Sequence, residues 1–512
     1  MEKPQAFQQC GTRKGHLTSV LALATLVSVF GSSFQYGYNV AVINSPSLYM
    51  QRFYNQSYFD RYGKYMDSSF QTLLWSLTVS MYPLGGFFGS LMVAPLVNYF
   101  GRKGTLLFNN IFSIIPAILM GTSKLGTVLH TNCLLTLLFC LGLSSNVVPM
   151  YLGELSPKNF RGAIGVMPQL FITIGILIAQ IFGLRNILAN DRGWPLLLGL
   201  TGIPAVVELI FLPFFPESPR YMLIQKGDEV GARAALRRLR GWEDVDGEIE
   251  EMRLEDESEK AEGRLSVLNL CSFRSLRWQL ITVVVLNMGQ QLSGVNAIYY
   301  YADSIYRSAG VKENDIQYVT VGTGSVNVFM TIAATAIIEK AGRRLLLLLG
   351  FAICCIFCMI LTMSLNLQDS VNGMSYLSIT CVIVYVIGHA IGPSPIPYVI
   401  TTEIFRQSSR PAAFMVAGSV HWLSNFLVGL IFPFLEKGIG EYSFIIFGVI
   451  CLATFAYIFL IIPETKNKTF LEISQILAKR NNVEMKVEQE QLDLSLRDVG
   501  HQQWKAEKST HL

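Results

Sequence analysis

The sequence predicts an all-α membrane protein of twelve transmembrane helices, arranged as two pseudo-symmetric six-helix bundles. Three observations predict this fold: an apolar composition, twelve apolar segments of transmembrane length, and charged motifs that occur once in each half. Of the 512 residues, 51% are hydrophobic and 15% are charged, whereas soluble domains average about 25% charged residues. So few charges cannot cover a water-facing surface, but helices that face lipid need none. The net charge of +4 is too small and dispersed to indicate a nucleic-acid partner.

Each predicted span is a segment of about 20 mostly apolar residues, the length that crosses a bilayer. Spans 1–6 are 17–42, 71–96, 104–122, 125–150, 163–188 and 194–215, and spans 7–12 are 278–301, 316–338, 345–366, 376–401, 412–434 and 442–463. The predicted domains are a tail (1–16), a first bundle (17–215), a central linker (216–277), a second bundle (278–463) and a second tail (464–512). Helically spaced apolar residues in the linker, such as Ala234, Leu236 and Leu239, predict short amphipathic helices at the inner membrane face.

The orientation follows from the basic residues of the short loops, which are enriched on the cytoplasmic side of membrane proteins. With both termini inside, the inner short loops carry nine Lys and Arg residues and the outer short loops carry six. The loop after span 1 contains Asn55-Gln56-Ser57, a glycosylation acceptor that is useful only outside the cell. We therefore predict a multi-pass protein of the plasma membrane, with cytoplasmic termini and a glycan on Asn55.

Charged motifs recur in the same order in both halves. Offsets of 241, 249 and 247 residues relate Gly101-Arg102-Lys103 to Gly342-Arg343-Arg344, Glu154 and Arg161 to Glu403 and Arg410, and Pro216-Glu217-Ser218 to Pro463-Glu464-Thr465. This repeat predicts two bundles related by a pseudo-twofold axis along the membrane normal, with a binding site between them. The charges lie at the inner ends of the spans, where they could pair between bundles as a reversible latch. The alternative is that they tie helices together within one bundle.

Polar residues at membrane depth are costly and usually face a cavity or another helix. Those found here are uncharged amides, imidazoles, an indole and phenols: Gln169, Gln290, Gln291, Asn296, Tyr299, Tyr300, Asn327, His389, His421, Trp422 and Asn425. Amides donate and accept hydrogen bonds and aromatic faces pack against C–H groups, so the set suits an uncharged, hydroxyl-rich solute. Hydrogen bonding between helices is the alternative role of each amide.

Two sequence features predict irregular spans. Gln291 and Asn296 can share a face of span 7 only if the helix is distorted, and Gly294 between them makes that plausible. Pro393, Pro395 and Pro397 remove backbone donors and break span 10, which predicts a gate at that point.

These motifs resemble those of the facilitative hexose transporters of the major facilitator superfamily, and most closely the fructose transporter among them. The resemblance runs from about Leu17 to Ala478 and rests on Gly101-Arg-Lys, Pro149-Met-Tyr-Leu-Gly-Glu154, Pro216-Glu-Ser-Pro-Arg220, Gln290-Gln-Leu-Ser-Gly-Val-Asn296, the stretch Gly392–Pro397 and Pro463-Glu-Thr-Lys466. It implies facilitated uniport of a hexose, foremost fructose, by alternating access, in a protein that works as a monomer without a cofactor or metal.

The resemblance also implies individual roles. The sugar would be held by Tyr36, Gln169, Gln290, Gln291, Asn296, Asn327, His389, Tyr398, His421 and Trp422. Tyr299 or Tyr300 would act in gating. At the inner face Glu154 would pair with Arg410, and Glu403 with Arg161, within a latch that includes Arg102, Arg343, Arg344, Glu217 and Glu464.

Three positions depart from the family pattern. Span 4 lacks the family's arginine and is about two residues short, which places the inner charge network in doubt. Tyr398 stands where fructose transporters have a small residue and glucose transporters a tryptophan, so it narrows the pocket and could favour glucose. Glu208 lies inside span 6, where an acid is unusual; a neutral or helix-paired glutamate without a transport role is the favoured interpretation.

Three other functions were weighed against facilitated fructose transport. A glucose-preferring uniporter fits the same motifs. A proton-coupled symporter of this family needs an aspartate in span 1, and the segment from His16 to Asn44 has no acid. A transport-defective paralogue that only binds sugar would explain the altered span 4. An enzyme is excluded because no nucleophile, base and orienting acid are grouped together.

Overall fold

The structure is a computed structural model that describes residues 16–122, 129–157, 160–250, 252–253, 277–367, 370–371, 373–405, 409–466, 473 and 476. Side chains are described at these positions except at 129–141, 161–163, 300, 302, 304, 339 and 410. Within this part of the chain all regular secondary structure is helical, as predicted.

Helices occupy all twelve predicted spans. In the first half they are Ser19–Ala41, Ser68–Leu91, Val93–Gly121, Leu129–Leu155, Arg161–Phe182 and Trp194–Phe214. In the second half they are Arg277–Leu292 with Val295–Ser308, Ile316–Ala341, Arg343–Leu367, Met374–Ile391 with Ile396–Ile404, Arg410–Ile439 and Ser443–Ile461.

Eight segments of the described chain are long and apolar enough to cross a membrane by themselves, and the last of them, Pro411–Ile461, contains both span 11 and span 12. The helices of spans 2, 4 and 7 are not among these segments. Span 7 shows the reason, since Asn287, Gln290, Gln291 and Asn296 are buried inside the protein. A helix whose polar face lines a cavity needs fewer apolar residues than one surrounded by lipid.

The two halves meet mainly along two pairs of helices: span 2 packs on span 11, and span 5 packs on span 8. The first contact depends on Gly86, because a Cβ atom there would lie 2.4 Å from the Trp422 ring. Span 5 also packs closely on span 1 within the first half. A ring of helices from both halves therefore surrounds the centre of the molecule.

Spans 7 and 10 are each broken. Span 7 is interrupted between Leu292 and Val295, where Gly294 adopts φ 97°, a left-handed conformation that favours glycine. Span 10 leaves the helix between Ile391 and Ile396, because proline rings cannot donate the hydrogen bonds that continue a helix. Both breaks were predicted from the sequence.

The central segment contains the predicted amphipathic helix, Glu229–Arg240. Its apolar face, with Leu236, packs on Val245, Ile249 and Met252 in a small core. Arg240 fastens this core to the first bundle, since its Nη1 donates to the carbonyl of Leu155 at 2.8 Å.

The charges predicted at the inner face form the same network in both halves, which extends the sequence repeat into three dimensions. Arg102 pairs with Glu154 at 2.9 Å, and Arg343 pairs with Glu403 at 3.0 Å. Glu217 accepts the N–H of Lys103 at 3.0 Å in the first half. In the second half Glu464 accepts the N–H groups of Arg343 and Arg344, at 2.9 and 3.0 Å. Each carboxylate therefore caps the start of a helix, where it also meets the positive end of the helix dipole.

Gly101 and Gly342 explain why glycine begins this motif in each half. Their φ angles are 79° and 88°, values that L side chains rarely adopt. A Cβ atom at Gly101 would lie 2.6 Å from Glu217 Oε2, and one at Gly342 would lie 2.7 Å from Glu464 Oε2. Each glycine thus permits both the turn and the approach of the capping carboxylate.

Candidate substrate site

A cavity of about 500 Å³ lies at the centre of the molecule between the two halves. Spans 1 and 5 supply one wall, and spans 7, 8, 10 and 11 supply the other. Its lining consists of Tyr36, Val40, Gln169, Ile172, Thr173, Ile176, Gln290, Gln291, Val295, Asn296, Tyr299, Asn327, His389, Ser394, Tyr398 and His421. None of these side chains carries a permanent charge, so the cavity can offer hydrogen bonds without attracting an ion.

Span 7 supplies three of the predicted amides. The break at Gly294 brings Asn296 back toward Gln291, and the Asn296 Nδ2 donates to the Gln291 Oε1. Gln290 donates its Nε2 to the carbonyl of Ser394 at 3.0 Å. The predicted distortion of span 7 therefore places Gln291 and Asn296 on one surface.

His421 connects the two walls of the cavity. Because the Oε1 of Gln291 accepts from Asn296, its Nε2 faces the Nδ1 of His421, at 3.1 Å, and donates to it. The Tyr398 hydroxyl lies 3.2 Å from the same Nδ1, so the two donors share its single lone pair. Nδ1 is then an acceptor, which leaves the proton on Nε2 to be donated to the Tyr36 Oη at 3.1 Å. One neutral imidazole thus joins spans 1, 7, 10 and 11.

The remaining predicted contacts complete the same surface. Gln169 in span 5 donates its Nε2 to the Ser394 Oγ at 2.6 Å, which joins the two halves. Asn327 donates its Nδ2 to the hydroxyl of Tyr299 at 2.7 Å. The Nε2 of His389 lies 3.3 Å from the carbonyl of Gln290. The structure therefore brings these predicted residues to one cavity.

Trp422 lies one layer behind the lining. It is fully buried, with its ring centroid 5.0 Å from that of Tyr36. Its Nε1 donates to the Ser145 Oγ at 3.2 Å. Among the contacts described, Trp422 supports Tyr36 and His421, so a direct contact with the sugar stays a prediction.

Sequence reasoning missed Ser394, although it bonds to two of the predicted amides. A single serine between two prolines does not stand out as a polar residue in the sequence. Its position in the broken part of span 10 could have drawn attention to it. The apolar wall of Ile172, Ile176 and Val295 was missed as well. Aliphatic residues inside a membrane span look alike whether they face lipid or a ligand.

The predicted gating residues are only partly described. Tyr299 lines the cavity, and the side chain of Tyr300 lies outside the described part. Pro393, Pro395 and Pro397 lie in or beside the break of span 10. The break is observed, and its movement stays a prediction.

Of the predicted latch pairs, the structure describes the side chains of the two glutamates. Glu154 accepts from Arg102 and from Ser218, both in the first half. Glu403 accepts from Arg343 and from Thr465, both in the second half. The side chains of Arg161 and Arg410 lie outside the described residues, so the pairing between halves stays a prediction.

At the predicted outer face, described contacts do join the halves. Arg185, after span 5, lies 2.5 Å from Glu313 in the loop before span 8. Asn44 donates its Nδ2 to Asp303 near the end of span 7 at 2.8 Å. Asn55 lies on the same face, in the helix Ser47–Tyr62, and its glycosylation stays a prediction. The described contacts thus hold the halves together at the face that carries Asn55.

We expect removal of Arg185 to loosen the outer face slightly. The pair is partly exposed, with side-chain exposures of 31% and 44%, and such pairs contribute about 0–1 kcal/mol. In Arg185→Ala, a cysteine in place of Thr173 should react up to about fivefold faster with an impermeant thiol reagent applied outside. The matched control is Arg307→Ala, which also loses a bond to Glu313 but within one half. Equal rates in both variants would contradict the role of Arg185.

The same contact should survive mild acid. Hydrogen bonds from Arg307 and Arg185 lower the pKa of Glu313, so the pair forms fully above the ordinary glutamate pKa of about 4.3. The pair is lost only as the pH falls through the lowered pKa. The ratio of the cysteine-labelling rates of Arg185→Ala and of the chain that keeps Arg185 should therefore be the same at pH 6 and pH 7.5.

Glu208 is fully buried in span 6 and faces span 1. The Ser32 Oγ donates to its Oε2 at 2.8 Å. A Cβ atom at Gly31 would lie 2.3 Å from the Glu208 side chain, so glycine is needed there. Within the described part of the chain, no ion pair to Glu208 is formed. An unpaired buried carboxylate is costly, so we expect the neutral acid, packed against the π-helix Val29–Phe34 of span 1.

We expect Glu208→Gln to leave sugar uptake within about twofold of the unmodified chain, because the amide oxygen can still accept from Ser32. Glu208→Leu leaves the Ser32 hydroxyl without this acceptor and should lower thermal stability by about 1–3 kcal/mol. Uptake is measured in vesicles with and without an inward proton gradient. Stimulation by the gradient that disappears in Glu208→Gln would identify Glu208 as a proton carrier instead.

The altered span 4 is helical from Leu129 to Leu155. The side chains of residues 129–141 lie outside the described part, so the effect of the missing arginine stays a prediction. At the end of the helix, Glu154 makes the pair with Arg102 described above.

Twelve membrane helices around a central, uncharged, hydrogen-bonding cavity between two repeated halves define a solute transporter of the major facilitator fold. A family model described as "Sugar (and other) transporter" matches residues 24–477. With this match and the relatives below, the chain belongs to the sugar transporter family.

Three relatives illustrate the similarity. "Solute carrier family 2, facilitated glucose transporter member 5" from Bos taurus is 68% identical over 473 residues, which is 92% of this chain and 94% of that protein. The same member from Homo sapiens is 66% identical over 488 residues, which is 95% of this chain and 97% of that protein. Member 7 from Homo sapiens is 57% identical over 482 residues, 94% of each chain.

Solved structures with the same fold are more distant in sequence. The proton:xylose symporter XylE bound to 6-bromo-6-deoxy-D-glucose has a TM-score of 0.76 at 24% identity and covers 90% of this chain and 100% of its own. The xylose transporter XylE from E. coli in a partially occluded inward open conformation has a TM-score of 0.73 at 22% identity. This likeness covers 88% of this chain and 100% of the XylE chain. These likenesses confirm the predicted major facilitator fold.

Proposed function

We propose that this sugar transporter carries a hexose, foremost fructose, by facilitated uniport and alternating access. The main support for this proposal is the cavity between the halves, whose polar lining consists of amides, hydroxyls and neutral imidazoles. Such groups match the many hydroxyls of a neutral sugar, because each amide both donates and accepts. The relatives are named as facilitated glucose transporters, which supports a hexose.

Fructose is proposed ahead of glucose because the sequence motifs resemble fructose transporters most closely. Tyr398 is the feature that favours glucose, since its ring narrows the cavity beside Gln169. The test is uptake of labelled fructose into proteoliposomes in competition with unlabelled fructose and glucose. Stronger competition by glucose than by fructose would replace fructose with glucose in the proposal.

Uniport is proposed ahead of proton symport because the described lining of the cavity contains no carboxylate. Glu208 lies behind span 1 and bonds to Ser32 instead. Uptake measured at several external pH values tests this point: strong acceleration by an inward proton gradient would indicate symport. Sugar binding without counterflow would indicate a transport-defective paralogue.

Alternating access is supported by the distribution of contacts around the cavity. The outer face joins the halves through Arg185 and Glu313. At the inner face the described pairs of Glu154 and Glu403 lie within their own halves, and the side chains of Arg161 and Arg410 lie outside the described part of the chain. We also propose a plasma-membrane monomer with both termini in the cytoplasm. An epitope on the C-terminus should then be accessible to antibody only after the cells are permeabilised.

A further inference from the structure

A second cavity, of about 540 Å³, lies next to the first one. It is lined mainly by small and apolar residues, which are Ser32, Ser33, Ser145, Pro149, Gly165, Val166, Pro168, Pro395 and Val399 in addition to four shared residues. Pro149, Gly165 and Val399 lie within five residues of Glu154, Arg161 and Glu403 in the sequence. The second cavity therefore lies between the first one and the inner charges.

Four residues line both cavities and separate them: Tyr36, Gln169, Ile172 and Tyr398. We name these four residues the septum. Tyr36 belongs to span 1, Gln169 and Ile172 to span 5, and Tyr398 to span 10. The septum is therefore built from both halves, and a solute that moves between the cavities has to pass it.

Neutral hydrogen bonds close the septum across the two halves. Tyr36 accepts from the His421 Nε2 at 3.1 Å, and Gln169 donates to the Ser394 Oγ at 2.6 Å. Tyr398 is fixed in turn by the bond from its hydroxyl to the Nδ1 of His421 at 3.2 Å. Each such bond has a small net strength, so the septum can close the cavity and still open without a large barrier.

A sugar in the first cavity competes for the same groups. Gln169 and His421 would turn their donors or acceptors toward sugar hydroxyls and away from Ser394 and Tyr36. Loading of the site therefore weakens the bonds that close it, which couples binding to opening.

We propose that the septum is the inner gate of the sugar site and that the Tyr398 hydroxyl, bonded to His421, is the latch of this gate. The proposal rests on the proposed function, because it assigns the substrate path on either side of the septum. It gives Tyr398 a role in release in addition to its effect on the size of the pocket.

The experiment measures access to the first cavity from the inner side without any sugar. The full-length protein carries a cysteine in place of Thr173, which lines the first cavity and not the second. Inside-out vesicles are treated with an impermeant thiol reagent, and the chain without Thr173→Cys gives the background. In Tyr398→Phe the ring remains and the latch is lost, so labelling should be about two- to tenfold faster. Tyr398→Ala, which also loses the ring, should be labelled faster still.

The matched control is Tyr457→Phe. The Tyr457 hydroxyl lies 3.1 Å from the Thr282 Oγ1, and neither residue lines either of the two cavities. This variant should be labelled at the rate of the unmodified protein. Unchanged labelling in Tyr398→Phe would overturn the latch, and unchanged labelling in Tyr398→Ala as well would overturn the gate.

The labelling experiment tests the gate and the transport assay tests the proposed function, so the two proposals can fail separately. If fructose and glucose are not taken up while Tyr398→Phe still accelerates labelling, the proposed function is wrong and the gate remains. If hexose uptake is normal and labelling does not respond to Tyr398, the gate is wrong and the function remains.

Discussion

Replacing Gln169 by glutamate should lower fructose uptake by about 10- to 100-fold in kcat/KM, chiefly through a higher KM. The amide Nε2 of Gln169 is a donor at the centre of the cavity, and a carboxylate cannot donate to a sugar hydroxyl. Loss of a hydrogen bond and the unfavourable charge together account for about 1.4–2.8 kcal/mol. The measurement is the concentration dependence of fructose uptake in proteoliposomes.

This variant separates binding from gating. The Ser394 hydroxyl can rotate and donate to the new carboxylate, so the bond between spans 5 and 10 is kept. Labelling of a cysteine at Thr173 from the inner side should therefore stay near that of the unmodified chain while uptake falls. A matched control is Gln180→Glu, on the same span but away from the cavity lining. An unchanged KM for fructose in Gln169→Glu would exclude Gln169 as a sugar contact.

The sequence was sufficient to predict the helices and the polar residues that line the central cavity, because both depend on local composition. Twenty apolar residues form a span wherever they occur, and an amide inside a span needs a partner or a cavity. The break at Gly294 could be predicted for the same reason. Gln291 and Asn296 lie five positions apart, and only a distorted helix brings them together.

Contacts between distant parts of the chain could not be predicted. Gln169 and Ser394 are 225 residues apart, and neither the proline-rich stretch nor span 5 indicates that they meet. The septum depends on this contact and on the one between Tyr36 and His421. The sequence predicted these residues as sugar contacts, but it did not reveal that they bond to one another across the halves.

The partners of the inner charges could not be predicted either. The repeat predicted which residues act together, but two partners were possible for each acid. Glu154 is described with Arg102 of its own half, whereas the resemblance implies Arg410 of the other half. A carboxylate at the end of a span can accept from more than one guanidinium, so the described pair and the predicted latch are compatible.

Arg102→Ala should be among the most destabilising single substitutions at the inner face. Arg102 and Glu154 have side-chain exposures of 5% and 7%, and removing one partner of a buried pair costs about 3–5 kcal/mol because the other charge remains buried. Arg102 also bonds to Gln225 at 3.3 Å and lies over the ring of Tyr221. The expected result is a lower melting temperature of the purified protein in detergent.

The repeat supplies the matched control for this experiment. Arg343→Ala removes the equivalent pair in the second half, where the Glu403 side chain is 24% exposed. Water can solvate that carboxylate, so its melting temperature should fall less than that of Arg102→Ala. In Arg102→Ala with Glu154→Gln, the unpaired charge is gone and part of the stability should return. If the double variant is no more stable than Arg102→Ala, burial of an unpaired carboxylate is not the cause of the loss.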